Sequence, residues 1–344
     1  MKRNLLPTLL ALAALAAAPL AAHAQTRRAR PAAAPRAAAA RPAAAQSLPL
    51  PASDAVAFVQ VRRLIDEVVP RVLGDDVARA AQVKADIEQF KARTGVDPRG
   101  FETLAVGARV AQLPSGATKL DHVVAVGRGS FDPAAIVAAG RAAPGASYQS
   151  ATHGGKTVHV FGVNDQMRLF GLVRLRVSEL AVAALDANTL AVGEPAAVRA
   201  TIDAQAGRGR ADAALMNTPR GADDLVVFAG HVPPEALAGI DVGLPEVNRS
   251  IAALRGVRGA LSTTAAGFLM TTFLRSATPS DAQRLGKTVE ALRAVAPGLL
   301  AQAGERGRMA RAAVESLKVT TQGAEVQLRV ELAQTDVASL LRAL

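Results

Sequence analysis

Five times along the chain, two runs of alternating apolar residues stand on either side of a short turn. Residues 104–112 and 120–128 flank Pro114-Ser115-Gly116, and 147–152 and 156–163 flank His153-Gly154-Gly155. Residues 179–185 and 189–193 flank Asp186-Ala187-Asn188, and 257–264 and 268–275 flank Ala265-Ala266-Gly267. The last pair is 316–321 and 324–332. A period of two puts successive side chains on opposite faces of a strand, so each run has one face to bury. Short turns join only antiparallel neighbours, whereas parallel strands need a long crossover. Gly154 and Gly155 suit the tightest of these turns because glycine tolerates positive φ. The chain is therefore expected to build antiparallel sheet from consecutive hairpins.

Helical segments separate the hairpins. A strand over 54–61 (D-A-V-A-F-V-Q-V) precedes a helical region over 62–94, with Val83, Ile87 and Phe90 on its apolar face. Pro70 and Gly74-Asp75-Asp76 are expected to break that region in two, and Gly95 to stop it. Asp132-Pro133 opens a helix to Ala143, and a helix over Pro195–Ala206 ends at Gly207. After a loose stretch over 207–221 the pattern returns: D-L-V-V-F-A-G at 224–230 echoes D-A-V-A-F-V-Q at 54–60. A helical region to Leu254, a hairpin, a long helix opened by Pro279-Ser280-Asp281, a final hairpin and a helix over 335–344 follow. Both halves read as strand, helices, hairpin, helix, hairpin, helix, the first with an extra hairpin. This order predicts an α+β fold of two similar units, 53–207 and 208–344. Each is a mostly antiparallel sheet with helices packed on one face. The two sheets are expected to pack together or to enclose a groove at their junction.

The N-terminus is compositionally separate. Lys2 and Arg3 precede an apolar Leu/Ala run over 5–20, and Ala22-His23-Ala24 closes it as an A-x-A cleavage site, so 1–24 reads as a secretory signal peptide. A spanning helix wants about 20 apolar residues, and this run is interrupted by Pro7 and Pro19. Residues 25–52 are rich in Ala, Pro and Arg with no acidic residue, the composition of a disordered or polyproline-like linker. The chain is thus expected to be exported, periplasmic or secreted. It contains no cysteine, which excludes disulfides and thiolate metal sites. The formal net charge is +11; Lys2, Arg3 and the five linker arginines carry seven of those charges, leaving +4. A nearly balanced domain with one Tyr, no Trp and nine Phe is not a nucleic-acid-binding surface. The basic leash of Arg27, Arg28, Arg30, Arg36 and Arg41 instead suits weak contact with a membrane surface or envelope polymer.

No residue set points to catalysis, a metal or a cofactor. His122, His153, His159 and His231 lack a nearby acidic or thiol cluster of metal-ligand spacing. There is no G-x-S-x-G elbow, and the hydroxyl-rich Ser262-Thr263-Thr264 and Thr271-Thr272 lie on strands, where threonine packs well. Gly127-Arg128-Gly129-Ser130 leads into a helix already capped by Asp132. Asp75-Asp76 and Asp223-Asp224 are adjacent pairs that do not converge, and both sit where an element begins. The most suggestive segment is the strand F-L-M-T-T-F-L at 268–274, apolar on both faces. Phe268, Met270 and Leu274 would face one side, with Leu269 and Phe273 on the other. Such a strand is either covered twice or lines an apolar cleft, and Phe268, Met270, Phe273 and Leu274 are the candidate ligand-binding residues.

The leader, D-A-V-A-F-V-Q-V-R-R, F-K-A-R-T-G-V-D-P-R with F-E-T-L-A-V-G-A-R after it, and L-D-A-N-T-L-A-V-G together resemble a group of uncharacterised exported bacterial proteins. That resemblance implies a duplicated α+β unit and an extracytoplasmic location, and it supplies no active residues. The expected function is a non-enzymatic binding or scaffolding module of the envelope, recognising a protein partner or an apolar ligand. The alternatives are a carrier of lipid or another apolar molecule, and a hydrolase whose residues converge only in three dimensions.

Overall fold

In a computed structural model the chain is described over residues 48–112, 118–142, 147–169, 173–237, 243–300 and 311–337. The expected leader, most of the expected linker and the end of the last expected helix lie outside the described residues. Within them the strands are β1 Ala55–Val59, β2 Phe101–Gln112, β3 Thr118–Gly129, β4 Tyr148–His153, β5 Lys156–Leu169 and β6 Val173–Asp186. The remainder are β7 Thr189–Gly193, β8 Asp224–His231, β9 Leu254–Thr263, β10 Gly267–Ser276, β11 Lys318–Gln322 and β12 Glu325–Ala333. Helix α1 runs through Val61–Arg63, Leu64–Val68 and Val69–Leu73, followed by α2 Val77–Thr94, α3 Pro133–Ala142 and α4 Pro195–Gln205. The others are α5 Ala213–Met216, α6 Pro234–Leu237, α7 Pro245–Ala252 and α8 Pro279–Leu300.

The fold is α+β, and all twelve strands join one sheet in the order β11-β12-β10-β9-β8-β1-β2-β3-β7-β6-β5-β4. Every pairing is antiparallel, as the hairpin pattern requires. The two halves neither stack nor enclose a groove. They meet edge to edge through β1 and β8, with Ala57 opposite Phe228 at the centre of the junction. From that line the order runs outward as β1-β2-β3-β7-β6-β5-β4 on one side and β8-β9-β10-β12-β11 on the other.

One face of the whole sheet is covered by α1, α2, α3 and α8. Ile136 of α3 packs with Phe161, Val182 and Leu190, while Val72 and Leu73 of α1 pack with Leu225 and Phe268. Ala282 and Leu285 of α8 pack with Val326 and Leu328. Among the described residues the opposite face is covered only over the first half. There Ala197, Val198 and Ile202 of α4, Leu215 of α5 and the extended segment with Leu48 and Leu50 close over Val56, Val124, Val126, Ala183 and Ala191. The first half thus carries helices on both faces. Leu48–Ala52, expected as the end of the linker, belong to this layer: Leu50 is buried, its carbonyl accepts the Ala211 N–H, and Ala52 N–H donates to Gly209 O. Two leucines in an otherwise Ala/Pro-rich stretch give that segment the apolar area a disordered tether lacks.

Pro70 does not break α1. Proline lacks the N–H that an α-helix would use there and crowds the carbonyl four residues back. The chain adapts by widening Leu64–Val68 into a π turn, with Val69 N–H donating to Leu64 O. The real break is Gly74–Asp76, where the Asp76 carboxylate accepts from Arg79 N–H and caps α2. The sequence reading also ended one strand at Val163 and resumed at Glu179, whereas β5 extends to Leu169 and β6 begins at Val173.

Candidate functional site

A broad concavity forms where the start of the folded chain, the β2–β3 hairpin and the loop from α4 to α5 meet. It is a wide cleft of about 670 Å³ lined by Ser53, Asp54, Arg109, Asp121, His122, Arg210 and Asp212, among others. Its geometry derives from a bulge. Gly107 pairs with Val124 but Arg109 pairs with Asp121, so β3 carries one extra residue around His122. His122 takes φ 51, the left-handed region that non-glycine residues rarely adopt. Glu194 holds the bulge: one carboxylate oxygen accepts His122 N–H at 3.1 Å and the other accepts Val123 N–H at 3.2 Å. The local sequence Gly193-Glu194-Pro195 explains the clamp. A Cβ at Gly193 would strike the Val123 carbonyl, so only glycine lets β7 approach here, and Pro195 starts α4 immediately after Glu194.

The charged groups around the cleft are largely engaged in holding the fold. Arg109 Nε donates to Ala52 O and Arg210 Nε to Ala204 O. Asp54 accepts Val110 N–H, and Asp121 pairs with Lys119 at 3.3 Å. Asp212 caps α5 through Ala214 N–H and pairs with His231 Nε2 at 3.2 Å. The Ala214 N–H, and after it His231, hold the Asp212 carboxyl below its usual range. His231–Asp212 is a histidine–carboxylate pair, half exposed, with no hydroxyl hydrogen-bonded to the imidazole among the described residues. The arrangement offers both charge signs to a polar ligand and presents no poised nucleophile.

The other histidines fall elsewhere. His153 Nε2 pairs with Asp203 at 3.1 Å, which also binds Arg208, so the β4–β5 turn is clipped to the end of α4. His159 Nδ1 lies 2.9 Å from the Tyr148 hydroxyl under α3, with Arg141 stacked 4.1 Å over the tyrosine ring. Burial, and after it the Arg141 charge, push the His159 pKa down. The Arg141 hydrogen bond lowers that of Tyr148. A smaller cavity of about 230 Å³ adjoins His159, Lys156 and Val182. No group of three or more His, Asp or Glu among the described residues is placed to hold a metal ion.

The candidate residues of β10 divide between the two faces as their alternation predicts. Phe268 is buried against α1, with Arg71 5.7 Å over its ring, and Leu274 packs with the core under α8. Met270 lies between them on the same side, half-buried. Phe273 lies on the other side, where no helix among the described residues covers the second half. Arg258 sits 3.9 Å over the Phe273 ring and pairs with Glu325 at 2.8 Å. The register places Leu269, Thr271, Arg275, Gln327, Arg329, Glu331, Lys318 and Thr320 on this same open face. β10 is therefore an interior strand covered once, neither buried twice nor lining a cleft with all four candidates. Sequence reasoning missed the His122 cleft altogether; the run Gly193-Glu194-Pro195 was its only local signal.

No protein-family model and no curated protein matches the chain. Solved structures of the protein TP0453 match most of it. Its crystal form III aligns at a TM-score of 0.44 and 10% identity over 88% of this chain and 99% of that one. Crystal form I aligns at 0.41 and 11% over 88% and 98%, and crystal form IV at 0.44 and 11% over 86% and 96%. At these values the likeness transfers no residue, ligand or activity.

Proposed function

We propose that the protein is an exported, non-enzymatic binding protein of the cell envelope that engages a protein partner through the uncovered face of β9, β10, β12 and β11. The observation that carries this reading is the asymmetry of cover. The same side of the sheet is closed over the first half by α4, α5 and Leu48–Leu50, and among the described residues is bare over the second. The bare face has an aromatic stacked with arginine near its middle, Phe273 with Arg258, and charged residues of both signs around it: Arg275, Arg329, Lys318, Glu325 and Glu331. Protein interfaces favour this composition, with arginine and aromatic residues at the centre and a charged rim. The charges of the His122 cleft are engaged in structural bonds, which supports binding over catalysis. A carrier would need an apolar cavity, and the cleft is lined by Asp, Arg and His side chains. No helix among the described residues is long and apolar enough to cross a membrane. The matching outward strand orders support reading 53–207 and 208–344 as repeats of one unit.

The test is photo-crosslinking in cells that make the chain with its own leader, from benzoylphenylalanine placed at Phe273, at Thr320 or at Lys84 on α2. A discrete adduct of one mass from positions 273 and 320, absent from 84, is expected. No adduct, or the same adduct from all three sites, refutes the assignment of the face.

A further inference from the structure

The sheet ends on β11 at one side and on β4 at the other. Edge strands are ordinarily blunted by charge, proline, a bulge or a covering element, because their unpaired N–H and C=O groups accept any extended chain. β11 is guarded in this way. It begins on Lys318, and α8 lies over it so closely that a Cβ at Gly286 would strike the Thr321 hydroxyl. β4, Y-Q-S-A-T-H, has none of these devices. It contains no proline and no Lys, Arg, Asp or Glu, and its register with β5 runs without a bulge from Tyr148 opposite Phe161 to His153 opposite Lys156. Gln149, Ser150, Ala151 and Thr152 are exposed, and no strand among the described residues pairs with the far side of β4.

Register fixes which backbone groups that side presents. Gly162 N–H donates to Ser147 O at 2.8 Å, so Ser147 and Gly162 form a hydrogen-bonded pair. Bonded and non-bonded pairs alternate along an antiparallel ladder. Gln149–Val160, Ala151–Val158 and His153–Lys156 are therefore the bonded pairs, and Tyr148, Ser150 and Thr152 turn their N–H and C=O groups outward. These outward residues are centred on Ser150, and that suits a second copy of the chain. Run antiparallel about a two-fold axis at Ser150, the copies place Ser150 opposite Ser150 and Tyr148 opposite Thr152. Each bonded pair exchanges both of its bonds, so this register closes every outward group. Its side-chain pairs are an aromatic beside a β-branched residue and two facing hydroxyls, both favourable across a strand junction. Neutrality is what self-pairing demands, because a charge at position 150 would meet its own image across the axis. A foreign peptide sets no such limit.

We propose that β4 is a homodimer interface, through which two copies join edge to edge over Tyr148–Thr152 into one continuous antiparallel sheet. It lies at the opposite end of the strand order from β9–β12, does not rest on the partner reading, and can fail without it.

The chain from Gln25 onward is followed by sedimentation velocity across a dilution series, and a concentration-dependent dimer is expected. Ser150→Pro removes the central N–H from both copies and with it both bonds of that pair, so dimerisation should weaken about 30-fold. That N–H faces away from β5, so the melting temperature of the diluted monomer should be unchanged. Ser150→Lys and Ser150→Glu each set like charges face to face and should be monomeric alone, yet associate when mixed in equal amounts. The chain has no cysteine, so Ser150→Cys reports the axis directly. Opposite residues of a bonded pair lie about 5.5 Å apart at Cα, within disulfide reach, so mild oxidation should give a covalent dimer where Lys84→Cys on α2 gives none. A parent that stays monomeric, a dimer indifferent to Ser150→Pro, or Lys and Glu variants that fail to associate when mixed would each overturn the interface.

Discussion

Replacing Glu194 by alanine should unfasten the bulge that shapes the cleft, and the cost can be worked from its two bonds. The carboxylate accepts an exposed N–H from His122 and a half-buried one from Val123. Hydrogen bonds to a charged group contribute about 1.5–3 kcal/mol when sheltered and less when wet, so the pair together is worth about 2–3 kcal/mol. Glu194→Gln keeps one acceptor oxygen and should lose about half of that. The clamp also holds His122 at φ 51, where a side chain costs about 1–2 kcal/mol. His122→Gly removes that cost and adds about 0.5–1 kcal/mol of lost chain entropy, for a net stabilisation of about 0.5–1 kcal/mol. Without the carboxylate the bulge is free to relax, so the glycine should bring little in a Glu194→Ala background. A double-mutant cycle measured by urea unfolding at constant m-value should therefore show a coupling of about 0.5–1 kcal/mol. A Glu194→Ala cost below about 0.5 kcal/mol would refute the clamp. An equal gain from glycine in both backgrounds would refute the strain it is said to hold.

Two further predictions follow from the layering and from the half-buried His159 imidazole. Leu328→Ala empties a fully buried site under α8 and should cost about 2–5 kcal/mol, whereas Phe273→Ala on the bare face should cost about 1 kcal/mol or less, both read from the urea midpoint. His159 has its pKa lowered by burial, so the unfolded chain takes up a proton there before the folded one does. Stability should be complete above the ordinary histidine value of about 6.5 and fall as pH drops below it. His159→Gln should flatten that acid limb; an unchanged slope in a pH series of urea midpoints would show that the imidazole is not its source.

The hairpins were legible because their signal is local: alternation of period two on either side of a turn. Strand order was not, because β1 meets β8 and β3 meets β7 through contacts that no short window contains. The end of β5 and the start of β6 were missed because Asn164, Asp165 and Gln166 are poor strand formers, although V-R-L-R-V at 173–177 alternates as cleanly as any strand in the chain. Pro70 misled in the other direction, since a π turn accommodates a residue that an α-helix cannot. The β10 candidates were correctly divided between faces by their alternation. Which face would be covered depended on where α1 and α8 fold back, and that is a tertiary outcome. The His122 cleft is built by a bulge, a glutamate seventy-two positions later and a loop beyond that, so its residues have no common neighbourhood in sequence.

The edge-to-edge junction also sets an order of assembly. Ala57 and Phe228 face each other across 171 positions of chain, so β1 waits on a strand made much later. As the chain emerges N-terminus first, the first half can pair β2 with β3 and β5 with β6 while the outer edge of β1 stays open. An unpaired edge is a template for any other extended chain, including a second copy of this one. The second half is then the cap that ends this interval, and a truncation before Asp224 would leave an adhesive strand where the intact protein has the middle of its sheet.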